Sequence, residues 1–140
     1  MKYLKDFLSL NEGISRSTIE DVVARVYPEI VKDLGIGKQG IPPVELWKDI
    51  YARLSNIPGS QGEASSTSKA EFDSKENKLF IYYPNMVNEE DVIRSLLHEH
   101  THTLQDPKKH EMYRVKGYKN NPYEIAASKA EKNWKRYIKQ

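Results

Sequence analysis

The chain has 140 residues, 38% of them hydrophobic and 30% charged, with a net charge of +2, which predicts one folded domain and excludes a disordered chain. The absence of cysteine excludes disulfides and thiolate ligands, so any metal must be held by nitrogen and oxygen atoms. No segment has the apolar run of a signal peptide or a membrane span, which predicts a cytoplasmic protein without a membrane partner.

The first predicted element is a helix over residues 17–34. Ser17 is followed by Glu20 three residues later, which is the pattern of a capping box, and Gly35 suits a left-handed C-cap. Pro28 lies in the interior of this segment, so we expect the helix to be kinked or divided there.

A second helix is predicted over residues 43–55, where apolar side chains follow a proline at helical spacing. Together with the first helix, it makes residues 1–57 a helical N-terminal part. Residues 58–68 contain no large apolar side chain and are predicted to form a flexible loop, as a connector or as a lid.

The core predicted for residues 69–140 contains a β-hairpin and two further helices. The segments KAEF and KLFIYYP flank the polar turn DSKEN, which predicts a small antiparallel hairpin. Asn88 begins a helix that we expect to run to about Gln105, and Asn121 begins a closing helix with a small alanine face. The predicted fold class is α+β, in a single domain spanning residues 1–140.

The helix after Asn88 contains LLHEHTHTLQ, which holds three of the chain's four histidines. His98 and His102 lie away from the apolar face, at the i, i+4 separation at which two imidazoles can bind one zinc ion. Glu99 completes the pattern HExxH and lies beside the pair, where a carboxylate can accept a proton from the attacking water. His100 falls on the apolar face, which predicts a hydrogen-bonded core histidine, not a ligand.

A catalytic zinc site needs a third protein ligand, because two histidines hold zinc weakly. The metzincin pattern is excluded, since Gln105 and Lys108 occupy the positions of its glycine and third histidine. Glu124 is the preferred ligand, because it begins the closing helix, whose alanine face allows close approach to the histidine helix. The alternatives are Glu131, on a similar face, and His110, in a lysine-rich connection without helical phase. A capping-box role is the competing interpretation of Glu124.

The pairing of LLHEHTHTLQ with the later NPYEIAASKAE resembles the gluzincin arrangement of zinc metallopeptidases, and it is especially similar to the compact minigluzincin type. The resemblance covers roughly residues 70–138 and leaves out the N-terminal half. It implies that His98, His102 and Glu124 are zinc ligands and that Glu99 is the general base. It also implies a zincin-like α+β fold, in which a strand edge receives the peptide.

The predicted function is hydrolysis of peptide bonds in a peptide or protein substrate, by water that zinc activates. Tyr113 and Tyr118 lie between the two motifs and are candidate donors to the oxyanion, with Arg114 and Tyr123 as further candidates. One alternative is a zinc-stabilised binding module without turnover. Another is a nucleic-acid-associated peptidase, motivated by residues 107–140, where ten Lys or Arg face three Glu. A solvated basic face is the favoured interpretation of that segment.

Overall fold

The computed structural model describes residues 13–55, 67–117 and 120–138, and these residues form a mixed α+β structure, as predicted. Its elements in chain order are α1 (Arg16–Leu34), β1 (Val44–Trp47), α2 (Ile50–Ser55), β2 (Ala70–Asp73), β3 (Lys78–Tyr82), α3 (Glu89–Thr103), α4 (Pro107–Lys116) and α5 (Pro122–Ala130). A 3-10 turn follows β3 at Tyr83–Asn85, and a second 3-10 segment continues α5 at Glu131–Tyr137. None of the helices in these ranges is both long and apolar enough to cross a membrane.

Helix α1 is continuous although Pro28 lies inside it, so the division expected at this proline does not occur. Its N-cap is Ser15, whose Oγ accepts a hydrogen bond from the Thr18 amide at 3.1 Å. The cap predicted at Ser17 is therefore wrong by two residues, because a second serine just upstream makes the same type of cap. Gly35 ends the helix with a positive φ of 99°, so the position of the predicted glycine cap is confirmed, but its ψ of −179° lies outside the left-handed helical region that was expected.

The sheet formed by the described residues has three strands in the order β1-β3-β2. Strands β2 and β3 form the predicted antiparallel hairpin, with Phe72 opposite Leu79. Strand β1 pairs in parallel with β3, so the helix predicted over residues 43–55 is wrong in its first part. Val44 and Trp47 are three residues apart, a spacing that one turn of a helix and a four-residue strand can both have. The strand forms because its backbone pairs with β3, which lies far along the chain.

One hydrophobic core joins α1, α3, the sheet and the C-terminal 3-10 segment. Strand β3 is buried from Leu79 to Tyr82: Leu79 and Ile81 belong to this core, whereas Phe80 and Tyr82 pack with Ile50 of α2 in a second cluster. Helix α1 of the N-terminal part thus packs directly on the elements formed by residues 69–140. The N-terminal part is less helical than predicted, because residues 44–47 form strand β1. Residues 58–66 of the predicted flexible loop lie outside the described residues.

Candidate metal centre

Helix α3 has one apolar face in the core and carries two histidines that reach towards α5. Asn88 starts this helix as predicted, because its Oδ1 accepts a hydrogen bond from the Asp91 amide at 2.9 Å. The core face consists of Val92, Ile93, Leu96 and Leu97. His98 and His102 stand one turn apart, with 5.0 Å between their ring centroids. Burial of the apolar face fixes the rotation of the helix and therefore the direction of both imidazoles.

The carboxylate of Glu124, on the first turn of α5, lies between these two imidazoles. Its Oε2 is 3.1 Å from His98 Nε2, and its Oε1 is 3.1 Å from His102 Nε2. Asn121 caps α5 through its own side chain, which accepts hydrogen bonds from the Tyr123 and Glu124 amides at 2.9 and 3.3 Å. The carboxylate of Glu124 thus faces the histidines, and the three ligand atoms lie within 4.8 Å of one another.

Part of the expected alanine face lies in the contact that brings α5 to α3. Ala127 is fully buried and Ala130 half-buried, whereas Ala126 is exposed. The α-helix also ends at Ala130, earlier than predicted, and the chain continues as the 3-10 segment. A small side chain at position 127 leaves room for close approach of the two helices.

The far side of each imidazole is held by an oxygen acceptor. His98 Nδ1 lies 2.7 Å from Glu131 Oε2, and His102 Nδ1 lies 2.7 Å from Gln105 Oε1. The amide nitrogen of Gln105 donates to the carbonyl of Tyr123 at 3.0 Å, which turns its oxygen towards His102. Both Nδ1 atoms therefore donate, and each Nε2 is available as a lone-pair ligand when it is not protonated.

Electrostatic coupling within the cluster shifts the pKa values of all three side chains. Burial of the His98 ring disfavours protonation, but hydrogen bonding to Glu124 and the charge of Glu99 outweigh it and raise its pKa to about 9. The pKa of His102 is raised by the same balance. Hydrogen bonds from the histidines hold the pKa of Glu124 far below its usual range. A divalent cation would therefore replace protons that the histidines share with this carboxylate.

Glu99 lies beside the three side chains without joining them. Its side chain is nearly buried, and its Oε2 is 3.9 Å from His98 Nε2, too far for a hydrogen bond. Burial raises the pKa of Glu99, against the lowering effect of the charged histidines, and the charge of Glu71 on β2 adds to the increase. A carboxylate with a raised pKa next to a candidate metal position is suited to accept and hold a proton.

His100 lies in the core, as predicted from its position on the apolar face. Its Nε2 is 2.8 Å from the Gly35 carbonyl, which can only accept, so Nε2 carries the proton. Its Nδ1 accepts from the Tyr27 hydroxyl at 2.8 Å. Burial lowers the pKa of His100, and the neutral ring ties α3 to the end of α1.

His110 is the residue whose placement the sequence did not predict. Residues 107–116 form a helix, α4, and not an irregular connection, and this helix aims His110 at the site. Its ring stacks on that of His102, with centroids 4.4 Å apart, and its Nε2 is 3.2 Å from Glu124 Oε1. Asp106 as N-cap before Pro107, together with Gly117 at the other end, was the available signal of a helix.

Two of the candidate oxyanion donors, Tyr113 and Arg114, lie on α4. Tyr113 is in edge contact with Tyr123, with ring centroids 5.3 Å apart, and lines an open cleft of about 540 Å³ that also borders Glu124. Arg114 lines the same cleft and pairs with Glu111. Tyr118 lies outside the described residues.

On the other side of the site, β2 is an edge of the sheet formed by the described residues. The almost fully buried Arg53 fixes this edge, because it donates to Glu71 Oε2 at 2.8 Å and to the Tyr82 hydroxyl at 2.9 Å. The same Glu71 oxygen accepts from Tyr82 at 2.8 Å. These bonds attach β2 both to its partner strand and to α2.

Two imidazole nitrogens and one carboxylate oxygen form a donor set that could hold a metal ion, and these ligand types suit zinc among others. The oriented Nδ1–H groups and the neighbouring Glu99 are further features of such a site. No family model, no curated protein and no solved structure with which we compared the chain matches it. Any function of this chain is therefore inferred from the geometry of its own side chains.

Proposed function

We propose that this protein is a zinc-dependent metallopeptidase of the gluzincin type, with a zincin-like fold. One observation carries the proposal: Glu124, from a separate helix, meets both histidines of HExxH at 3.1 Å while Glu99 remains 3.9 Å from His98 Nε2. His98, His102 and Glu124 are the zinc ligands. A histidine-rich helix without a metal site would not need a carboxylate between His98 and His102.

When bound, zinc would polarise the scissile carbonyl and lower the pKa of a water molecule. Glu99 accepts the proton of that water and delivers it to the leaving amine nitrogen. Its burial keeps solvent away from the carboxylate and gives it the raised pKa that both transfers need. The ligands keep their Nε2 atoms aimed because Glu131 and Gln105 hold the opposite ring nitrogens.

The peptide substrate lies along the edge of β2, to which it adds as a further strand. Main-chain pairing of this kind binds an extended peptide with little dependence on its sequence. Glu71, on this strand, contributes to the electrostatic environment of Glu99, which supports a position of the strand next to the reacting groups. Tyr113, which lines the cleft beside Glu124, and Tyr118 are the candidate donors to the oxyanion.

The test is the zinc content and the activity of the wild type and of Glu99→Gln on an unfolded, casein-like protein. We expect about one zinc per chain in both proteins and a rate at least about 100-fold lower in the variant, because a general base contributes 10²–10⁴-fold. Glu29→Gln, an exposed glutamate on α1, is the matched control. A Glu99→Gln protein that cleaves at the wild-type rate would contradict the proposed base.

The second candidate is a zinc-stabilised binding module without turnover. The position of His110 favours it, because its Nε2 lies 3.2 Å from Glu124 Oε1 and its ring stacks on that of His102, so that it restricts access to the three proposed ligands. It predicts stoichiometric zinc and no cleavage of unfolded substrates by the wild type. Nucleic-acid binding by the basic residues after Pro107 stays a prediction from the sequence.

A further inference from the structure

A basic cleft adjoins the proposed ligand Glu124. It is open, has a volume of about 540 Å³ and lies between α4 and the helical residues that follow Asn121. Tyr113 and the exposed Ile125 give it apolar surface. Its lining also includes three cationic side chains, which are Arg114, Lys129 and Lys132. Sites for small ligands have volumes of about 300 to 1,000 Å³, so the basic cleft can accommodate several side chains of a peptide.

The positive charge of the basic cleft is only partly neutralised within the protein. Arg114 forms an exposed ion pair with Glu111 of its own helix, with Nη2 and Oε1 2.7 Å apart. Lys129 and Lys132 are exposed, and neither forms an ion pair with a carboxylate of the residues that the structure describes. The carboxylate of Glu124, which also lines the cleft, is held by the histidines. Two lysine charges therefore remain available to an anionic group.

The two lysines lie at different distances from Glu124 along α5 and the 3-10 segment that continues it. At a rise of about 1.5 Å per residue in an α-helix and about 2.0 Å in a 3-10 helix, Lys129 is about 7.5 Å and Lys132 about 13 Å along the axis from Glu124. An extended peptide advances about 3.3 Å per residue, so these distances correspond to about two and about four residues of substrate. Side chains two residues apart point to the same side of an extended chain, so one peptide can offer carboxylates to both lysines.

The edge of β2, on which the proposed substrate lies, belongs to a hairpin whose turn approaches helix α4. Hydrogen bonding to Arg114 lowers the pKa of Glu111 on α4, and the charge of Lys75, in the turn between β2 and β3, contributes to this decrease. Helix α4 also forms one wall of the basic cleft. The hairpin and the cleft thus border the same helix, so an extended peptide can contact both.

We propose that the basic cleft selects peptide substrates with acidic side chains about two and about four residues from the residue at the zinc position. This inference rests on the proposed function and names its substrate class. Carboxylates of the substrate pair with Lys129 and Lys132, while Tyr113 and Ile125 contact the apolar parts of the bound side chains. A nucleic acid fits less well, because its phosphates extend along the whole strand and two lysines neutralise few of them.

The experiment measures by fluorescence anisotropy how two peptides of equal length bind to the full chain carrying Glu99→Gln, with zinc supplied, so that neither peptide is consumed. One peptide has alternating glutamates and the other has glutamines at the same positions, and blocked termini leave these side chains as the only difference in charge. Two exposed ion pairs predict about three- to tenfold tighter binding of the glutamate peptide at low salt, and this preference should decrease as salt is added. Lys129→Gln combined with Lys132→Gln should abolish it. Lys108→Gln combined with Lys109→Gln removes two exposed charges outside the cleft lining and is the matched control.

The outcomes separate this inference from the function on which it rests. Absence of binding, equal binding of the two peptides, or a preference that persists without Lys129 and Lys132 would overturn the acidic specificity. Displacement of the glutamate peptide by single-stranded DNA that depends equally on Lys108 and Lys109 would assign the charge to nucleic-acid binding and also overturn it. If the preference is absent while the wild type cleaves a casein-like protein with zinc, only this inference fails. If the preference is lost as predicted but the wild type cleaves no peptide, the cleft is supported and the peptidase function fails.

Discussion

Glu131 provides the sharpest test of how the site orients its ligands. Its Oε2 is 2.7 Å from His98 Nδ1, on the side of the ring opposite Glu124. A carboxylate at this position is an acceptor for the Nδ1 proton, fixes the ring orientation and increases the basicity of Nε2. Substitution Glu131→Ala removes both the acceptor and the charge, whereas Glu131→Gln retains an acceptor and removes only the charge.

If His98 binds zinc as proposed, the expected loss of zinc affinity follows from the contact of Glu131 with the opposite ring nitrogen of this histidine. Removal of such a partner typically weakens metal binding 10–100-fold, about 1.4 to 2.7 kcal/mol. Glu131 is partly buried, with 25% of its side chain exposed, so solvent replaces it poorly. We expect Glu131→Gln near the lower and Glu131→Ala near the upper end of this range, with one zinc per chain retained. The assay is chelator competition at pH 7.5 on the metal-free proteins.

Glu90→Gln is the matched control, because Glu90 bonds to Arg94 at 2.7 Å and Arg94 also approaches Glu131 at 3.9 Å. It removes a charge from the same surface without touching His98. A Glu131→Ala protein that binds zinc as tightly as Glu90→Gln would refute the orienting role. Complete loss of stoichiometric zinc, as expected for Glu124→Ala, would instead make Glu131 itself the third ligand.

Four further predictions concern the site and its surroundings. Gly37→Ala should lower the free energy of unfolding by about 1–3 kcal/mol in urea denaturation, because a Cβ there would lie 2.2 Å from the Thr103 carbonyl oxygen. His100→Leu should cost about 1–3 kcal/mol by leaving the buried Tyr27 hydroxyl without its acceptor, and adding Tyr27→Phe should recover part of that loss. Zinc binding at pH 7.5 should release about one proton or more, detected by calorimetry in buffers of different ionisation enthalpy, because His98 with a pKa of about 9 must deprotonate. The same raised pKa stabilises the metal-free fold below about pH 6.5, and this contribution is lost as the pH rises through about 9.

The parts of the fold that local patterns determine were predicted from the sequence. Asn88 and Asn121 cap their helices as expected, and the hairpin forms around its polar turn. The helical wheel also separated His100, which lies in the core, from His98 and His102. Each of these features depends on residues within one or two turns of each other, so their spacing along the chain is sufficient.

Strand β1 could not be predicted in the same way, because its partner lies far along the chain. Its four residues are all half-buried and show no alternation. Their backbone pairs with β3, so that Val44 lies opposite Leu79. Parallel pairing of this kind has no turn to mark it, and helical spacing therefore gave the wrong element.

His98, His102, His110 and Glu124 converge because three helices with side-chain N-caps carry them. The differences between these helices explain which of the four positions could be predicted from the sequence. Asn88, Asp106 and Asn121 start α3, α4 and α5, so each cap fixes the phase of a helix that carries part of the site. For α3 and α5, apolar residues at helical spacing supported the prediction of a helix, and in α5 the buried one is Ala127. Helix α4 buries no side chain, so its sequence has no apolar period and only its caps identify it. The position of His110 was therefore not predicted from the sequence, because the helix that carries it contributes almost nothing to the core.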